Sequence, residues 1–110
     1  MIKGKKLNLD QNNVITINKN VIIISEFVFN KTCKAWPEQY DVYKGSKQVA
    51  YIRLRMGNLT VRVPDVDGEL AYHKNFGENS MKGHFDNNKE RMKYLTKIAE
   101  ILKEQNNEIL

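Results

Sequence analysis

Hydrophobic residues recur at every second position through most of residues 14–76, and at every third or fourth position after residue 87. The first period belongs to strands with one wet face, the second to an amphipathic helix. VITIN (14–18) and VIIISEFVF (21–29) are rich in β-branched residues and flank Lys19-Asn20, which predicts an N-terminal hairpin over 14–29. Asn30 to Glu38 breaks the alternation. Pro37 fixes its own φ and drives Trp36 towards an extended conformation, so this stretch reads as a loop or crossover. QYDVYK (39–44) and KQVAYIRLRM (47–56) flank Gly45-Ser46, and Met56 and Leu59 flank Gly57-Asn58. Pro64 ends LTVRV (59–63), and Asp67-Gly68 leads into GELAYHKNF (68–76). Three turn signals at such short spacing predict a β-meander over 39–76.

GENSMKG (77–83) is a polar loop, suited to a plain strand-to-helix connection or to a lid. The helix is expected over 87–106, with Asn87 as N-cap and Glu90 three residues on. Met92, Leu95, Ile98, Ala99 and Leu102 form its apolar stripe, widened by Tyr94 and Ile101; Lys89, Lys93, Lys97 and Glu100 lie opposite. The expected architecture is therefore α+β. One domain spans 1–110, built as an antiparallel meander of about five to six strands with a C-terminal helix on one face.

Two-residue turns set register, and register assigns faces. Centred on Gly57-Asn58, the pairing sets Arg55 against Thr60, Leu54 against Val61 and Arg53 against Arg62. Centred on Gly45-Ser46, it sets Tyr40 against Tyr51 and brings Glu38 towards Arg53; Asp67-Gly68 sets Arg62 against His73. One face then collects Glu38, Tyr40, Tyr51, Arg53, Arg55, Thr60, Arg62 and His73. The other collects Ile52, Leu54, Met56, Leu59, Val61, Val63 and Tyr72, and should receive the helix. Directly opposed arginines are destabilising unless something negative lies between them. Glu38 could supply that charge within a solvated sheet face, and so could an outside anion gripped by guanidinium forks beside stacking Tyr rings.

Composition narrows the chemistry. The chain has 110 residues and a formal net charge of +5. Residues 1–35 contribute +4, 36–63 contribute +3 and 64–80 contribute −3, so the central arginines lie in a basic stretch. Such a balance suits nucleic acid, nucleotides or an acidic protein partner. The single Cys33 has no internal disulfide partner, which points to a reducing, cytoplasmic setting. The most apolar run, 21–29, contains Glu26 and falls far short of about 18 residues, so no membrane association is expected. No Gly-rich phosphate loop, GxSxG or HExxH occurs, and His84 with Asp86 offers too few ligands for a metal. The reading is of no catalytic residues, no metal and no cofactor. Trp36 and Phe85 flank loops and serve either packing or a ligand or partner contact.

The segment PEQYDVYKGSKQVAYIRLRMGNLTVRVPDVDGELAY (37–72), followed by ERMKYLTKIAEIL (90–102), resembles a group of small phage and mobile-element proteins of Firmicutes. The shared pattern is PEQYDV, G..V.YIRLR.G, PD..GE..Y and ER..YL. Where members of that group often carry a Cys in the PD..GE turn, this chain has Val66 and Asp67, and NSMKGHF is less acidic than their GxGxF stretch. The group has no activity to carry over; the resemblance implies only its genomic company, in which small proteins without enzyme motifs are often inhibitors of host defence. The expectation is a non-enzymatic binding protein that sequesters an anionic partner, such as a nucleotide-derived immune signal. Its ligand-binding residues would be Arg53, Arg55, Arg62, Tyr40, Tyr51, His73 and Trp36, with a homo-oligomer able to complete the site. The alternatives are a protein that blocks a host nuclease or other defence effector, in the manner of an anti-CRISPR, and a small nucleic-acid-binding module.

Overall fold

The computed structural model describes residues 14–33, 36–77 and 81–109, with side chains as far as residue 105. It is α+β. A seven-stranded antiparallel sheet runs in the order of the chain, as β1 (Val14–Asn18), β2 (Val21–Ile24), β3 (Phe27–Lys31), β4 (Glu38–Lys44), β5 (Lys47–Arg55), β6 (Asn58–Val63) and β7 (Glu69–Asn75). One helix follows, α1 (Asn88–Ile109). The strand count exceeds the expected five to six because VIIISEFVF is two strands. Ser25 adopts a left-handed φ of 59° and turns the chain with Glu26, so that Ile24 pairs with Phe27. Ser-Glu carries no glycine or asparagine, the residues that usually mark such a turn.

The alternation expected from the sequence holds along each strand. Ile22, Ile24, Phe27, Phe29, Val42, Ala50, Ile52, Leu54, Leu59 and Val61 are buried on one face, where Leu95, Ile98, Ala99 and Leu102 of α1 cover them. Removing each such Val, Leu, Ile or Phe side chain from water contributes roughly 1.5–3 kcal/mol, which is why the helix stripe docks on this face. Met56, expected on the apolar face, is instead a turn residue and 60% exposed. β1 lies at the free edge with all five residues exposed.

Two registers differ from the expected ones, with different consequences. The β5–β6 turn is centred on Met56 and Gly57, both at positive φ (51° and 78°), rather than on Gly57-Asn58. That is the pattern of a tight turn matching the twist of the strands. Leu54 therefore opposes Leu59, Arg53 opposes Thr60, and Arg62 opposes Tyr51. The slip is by two residues, so faces are preserved while partners change. Arg53 and Arg62 do not oppose each other.

The β4–β5 hairpin slips by one, and a one-residue slip exchanges faces. Lys44 pairs with Lys47 and Tyr43 with Gln48, but a bulge then sets Val42 against Ala50, Tyr40 against Ile52 and Glu38 against Leu54. The physical reason lies in β4 itself. An unbulged ladder would put Val42 on the wet face and bury Gln39 and Asp41 among Ala50, Ile52 and Leu54. The extra residue in β5, Val49, lets the apolar side of β4 meet the apolar side of β5. Tyr40 and Glu38 thereby pass to the core, contrary to expectation.

Pro64 ends β6 as expected, but the connection to β7 is a loop over 64–68 rather than a two-residue turn at Asp67-Gly68. Gly68 N–H donates to the Asp65 carbonyl at 2.8 Å, and Asp67 N–H to the Asp65 carboxylate at 3.0 Å. A second bulge, at Ala71, brings Thr60 opposite His73 and Arg62 opposite Leu70. Gly68 leaves no space for a side chain, because a Cβ there would run into the Val63 carbonyl and the Pro64 nitrogen. Gly68→Ala should therefore destabilise the protein by about 1–3 kcal/mol. A lower urea midpoint with an unchanged denaturant slope would be the signature, and an unchanged midpoint would contradict this account of the loop.

Candidate functional site

The outer face of the central strands keeps most of the residues expected together. Tyr51, Arg53 and Arg55 of β5 point to the side opposite the core, beside Asn58, Thr60 and Arg62 of β6 and His73 of β7. Gln39 and Asp41 join them from β4, in the places expected for Glu38 and Tyr40. Successive outward residues on a strand stand about 7 Å apart, so Arg53 and Arg55 form a two-pronged cationic edge. They line a concave surface of about 280 Å³ with Met56, Asn58 and Thr60. Among the described residues, neither arginine has a carboxylate within ion-pairing distance.

The neighbours of this pair are held by hydrogen bonds. Asn58 Oδ1 accepts from Asn75 Nδ2 at 2.8 Å and lies 2.8 Å from His73 Nε2, while Asn58 Nδ2 donates to the Met56 carbonyl at 3.2 Å. The Tyr51 hydroxyl donates to Gln39 Oε1 at 3.1 Å. Arg62, opposite Tyr51 and diagonal to Arg53, donates from Nη1 to the Gly68 carbonyl at 3.1 Å.

A second concavity of about 180 Å³ adjoins the first and shares Arg55 and Met56 with it; Trp36, Pro37, Met81 and Gly83 complete its lining. Trp36 is 62% exposed, whereas Phe85, its counterpart at the other loop, is fully packed and stacks on Tyr94 at 5.7 Å between ring centres. The expected residue set thus divides. Arg53, Arg55, Tyr51 and His73 share the outer face, Trp36 reaches Arg55 from the side, and Arg62 lies towards the 64–68 loop. Tyr40 is fully buried on the opposite face and leaves the set.

Glu38 does not neutralise Arg53 or Arg62. Its buried carboxylate receives Tyr40 Oη at 2.5 Å, Phe85 N–H at 3.0 Å, and Arg91 through Nε at 2.6 Å and Nη2 at 3.2 Å. Burial alone would raise the Glu38 pKa, but the bonds from Arg91, Tyr40 and Phe85, with the Arg91 charge, outweigh burial and hold it below the ordinary 4.5. Burial and the bond to Glu38 push the Tyr40 hydroxyl far above its usual range, so it remains a donor. Arg91 is the missed partner in the sequence reading. It lies on the helix face between Asn87 and Tyr94, and nothing local links it to Glu38.

The segment leading into α1 is pinned in the same region. Lys82, buried, bridges Asp86 at 2.7 Å and Glu90 at 3.0 Å. Burial would depress its pKa, but those two carboxylates raise it instead. Asn87 caps the helix as expected, its Oδ1 accepting Glu90 N–H at 2.8 Å. The Glu90 carboxylate reaches back to Asp86 N–H, one residue earlier than in a reciprocal capping box. Of the loop expected over 77–83, residues 78–80 lie outside the described residues.

The described residues form a small α+β meander protein whose outer face carries Arg53 and Arg55 side by side. No protein family, curated protein or solved structure matches the chain. Among the described residues, no helix is long and apolar enough to cross a membrane.

The Glu38 cluster has a pH signature. Its folded pKa lies below the unfolded value of 4.5, so its stabilisation is present above about pH 4.5 and is lost as pH falls through the folded value. Glu38→Gln should cost about 2–4 kcal/mol at neutral pH, less than a fully enclosed pair because Arg91 reaches solvent. It should also flatten the acid limb of a stability–pH curve measured by thermal melting. A variant that keeps the wild-type acid limb would refute the assignment.

Proposed function

We propose that the protein is a non-enzymatic binding protein that sequesters a small phosphorylated anion, such as a nucleotide-derived immune signal, at Arg53 and Arg55. The observation that carries this reading is two adjacent guanidinium groups in a concave surface, without a carboxylate partner among the described residues, flanked by Thr60 and Asn58. Guanidinium forks match phosphate oxygens in bidentate geometry, while the Thr60 hydroxyl donates to the Arg53 carbonyl at 3.4 Å and Asn58 Nδ2 to the Met56 carbonyl at 3.2 Å, which ties both neighbours to the backbone beside the arginines. Leaving two like charges side by side costs free energy that a bound anion recovers. The resemblance of 37–72 and 90–102 to phage and mobile-element proteins supports an anti-defence setting for this binding.

A second reading draws on a different observation. Trp36, Met56 and Met81 are exposed at 62%, 60% and 72% beside Arg55. Trp, Met and Arg are enriched at protein interfaces, which favours an inhibitor that docks on an acidic host effector. Contact with nucleic acid would use the same arginines and would show a steep loss of affinity with salt.

Calorimetry against cyclic dinucleotides, cyclic mononucleotides and ADP-ribose tests the first reading. Wild type should bind one member of the panel, and Arg53→Glu and Arg55→Glu should each weaken that binding by at least tenfold, since a hydrogen bond to a charged group contributes about 1.5–3 kcal/mol. Equally weak binding by wild type and both variants would sink the proposal. Recovery of one host protein at defined stoichiometry, without nucleotide binding, would favour the second reading.

A further inference from the structure

The two concavities meet along Arg55 and Met56, yet their linings differ in kind. One offers guanidinium, hydroxyl and amide groups; the other offers an indole, a proline ring and two thioethers. Because Arg55 and Met56 line both, one ligand can span the two. A ligand filling both must carry an anionic group beside a flat, weakly polar ring.

Trp36 is built to meet such a ring. It is exposed, but it is not loose. Gly83 is buried directly beneath it, so that a Cβ on Gly83 would stand 3.0 Å from Trp36 Cε3 and crowd the indole. The His84 ring lies edge-on to it at 6.1 Å and 75°. Gly83 is itself immobilised, because its carbonyl accepts Glu38 N–H at 2.7 Å and the preceding Lys82 carbonyl accepts Gly57 N–H at 2.9 Å. An aromatic surface held by backbone on one side and open on the other is preorganised for stacking, and loses little conformational freedom on binding. Met56 and Met81, flexible and polarisable, can close on the edges of a ring of either base size.

We propose that the Trp36 concavity is the base subsite of a nucleotide site whose phosphate subsite is Arg53 and Arg55. The ligand is then a nucleotide, with its base stacked on Trp36 and its phosphate turned towards β5. This inference rests on the anion-binding reading of Arg53 and Arg55, and its test separates the two.

Trp36 is the sole tryptophan of the chain, so its emission reports the base subsite alone. Titrations with pyrophosphate and with AMP, GMP, CMP and UMP, followed by both calorimetry and indole fluorescence, give independent readings of the two subsites. At least one nucleotide should quench Trp36 and bind more tightly than pyrophosphate, which should bind without quenching. Trp36→Ala should weaken that nucleotide about tenfold or more and leave pyrophosphate affinity unchanged, while Trp36→Tyr should retain most of the nucleotide affinity. Gly83→Ala, which presses on the indole, should likewise weaken the nucleotide selectively. Circular dichroism of the variants should match wild type, Trp36 being a surface residue. If pyrophosphate and nucleotides bind alike and Trp36→Ala changes neither, the base subsite is wrong and the anion site stands. A loss of both affinities in Trp36→Ala also overturns the subsite, because the indole would then be acting on the arginines. If nothing binds to wild type, both proposals fall.

Discussion

The Glu38 carboxylate is the interaction on which the rest of the arrangement depends. A buried carboxylate without partners would cost several kcal/mol, so the fold must bring it donors from three places. Tyr40 comes from the same strand, Phe85 from the segment before the helix, and Arg91 from the first turns of α1. Only one placement of the helix N-terminus satisfies all of them. The hydrophobic stripe of α1 decides that the helix lies on the sheet, since burial is strong but tolerant of sliding. The directional bonds at Glu38 decide where along the sheet it begins.

That placement reaches the candidate site through the backbone. The main-chain N–H of Glu38 holds the Gly83 carbonyl, and Gly83 supports the Trp36 indole. One residue earlier, Lys82 turns its buried ammonium to Asp86 and Glu90 and lies 5.1 Å from the centre of the Phe76 ring. The end of the sheet that carries the Met56-Gly57 turn is thus braced by two ion clusters, one around each charge. At the edge of the sheet, all five residues of β1 are exposed among the described residues. Main-chain hydrogen bonds and ion pairs gather beside the two concavities.

Much of the outer face was legible in the sequence. Tyr51, Arg53 and Arg55 alternate with Ile52 and Leu54, and strand geometry alone sends the two sets to opposite sides. Their company on β6 was also legible, because a turn displaced by two residues keeps parity. Tyr40 and Glu38 were not assigned correctly, although a signal was present. The Gly45-Ser46 turn demands one parity and the apolar residues Val42, Ala50, Ile52 and Leu54 demand the other. Such a conflict between turn and pattern implies a bulge. The Ser25-Glu26 turn left no comparable signal, since its residues carry no marked turn preference.

What the sequence determined by itself is whatever follows from local periodicity: the α+β class, which residues of one strand share a face, the helix stripe and the Asn87 cap. These depend on residues a few positions apart, and the backbone translates that spacing directly into geometry. What only the tertiary structure decided depends on groups distant in the chain. Glu38 meets an arginine 53 residues further on, so the partner of its buried carboxylate comes from a helix that no local pattern links to it. Trp36 rests on Gly83, and its exposure follows from a segment folded later in the chain. Alternation within one strand is a local property; the partner that neutralises a residue's charge is not, because electrostatic and hydrogen-bond satisfaction is settled only once the elements are packed.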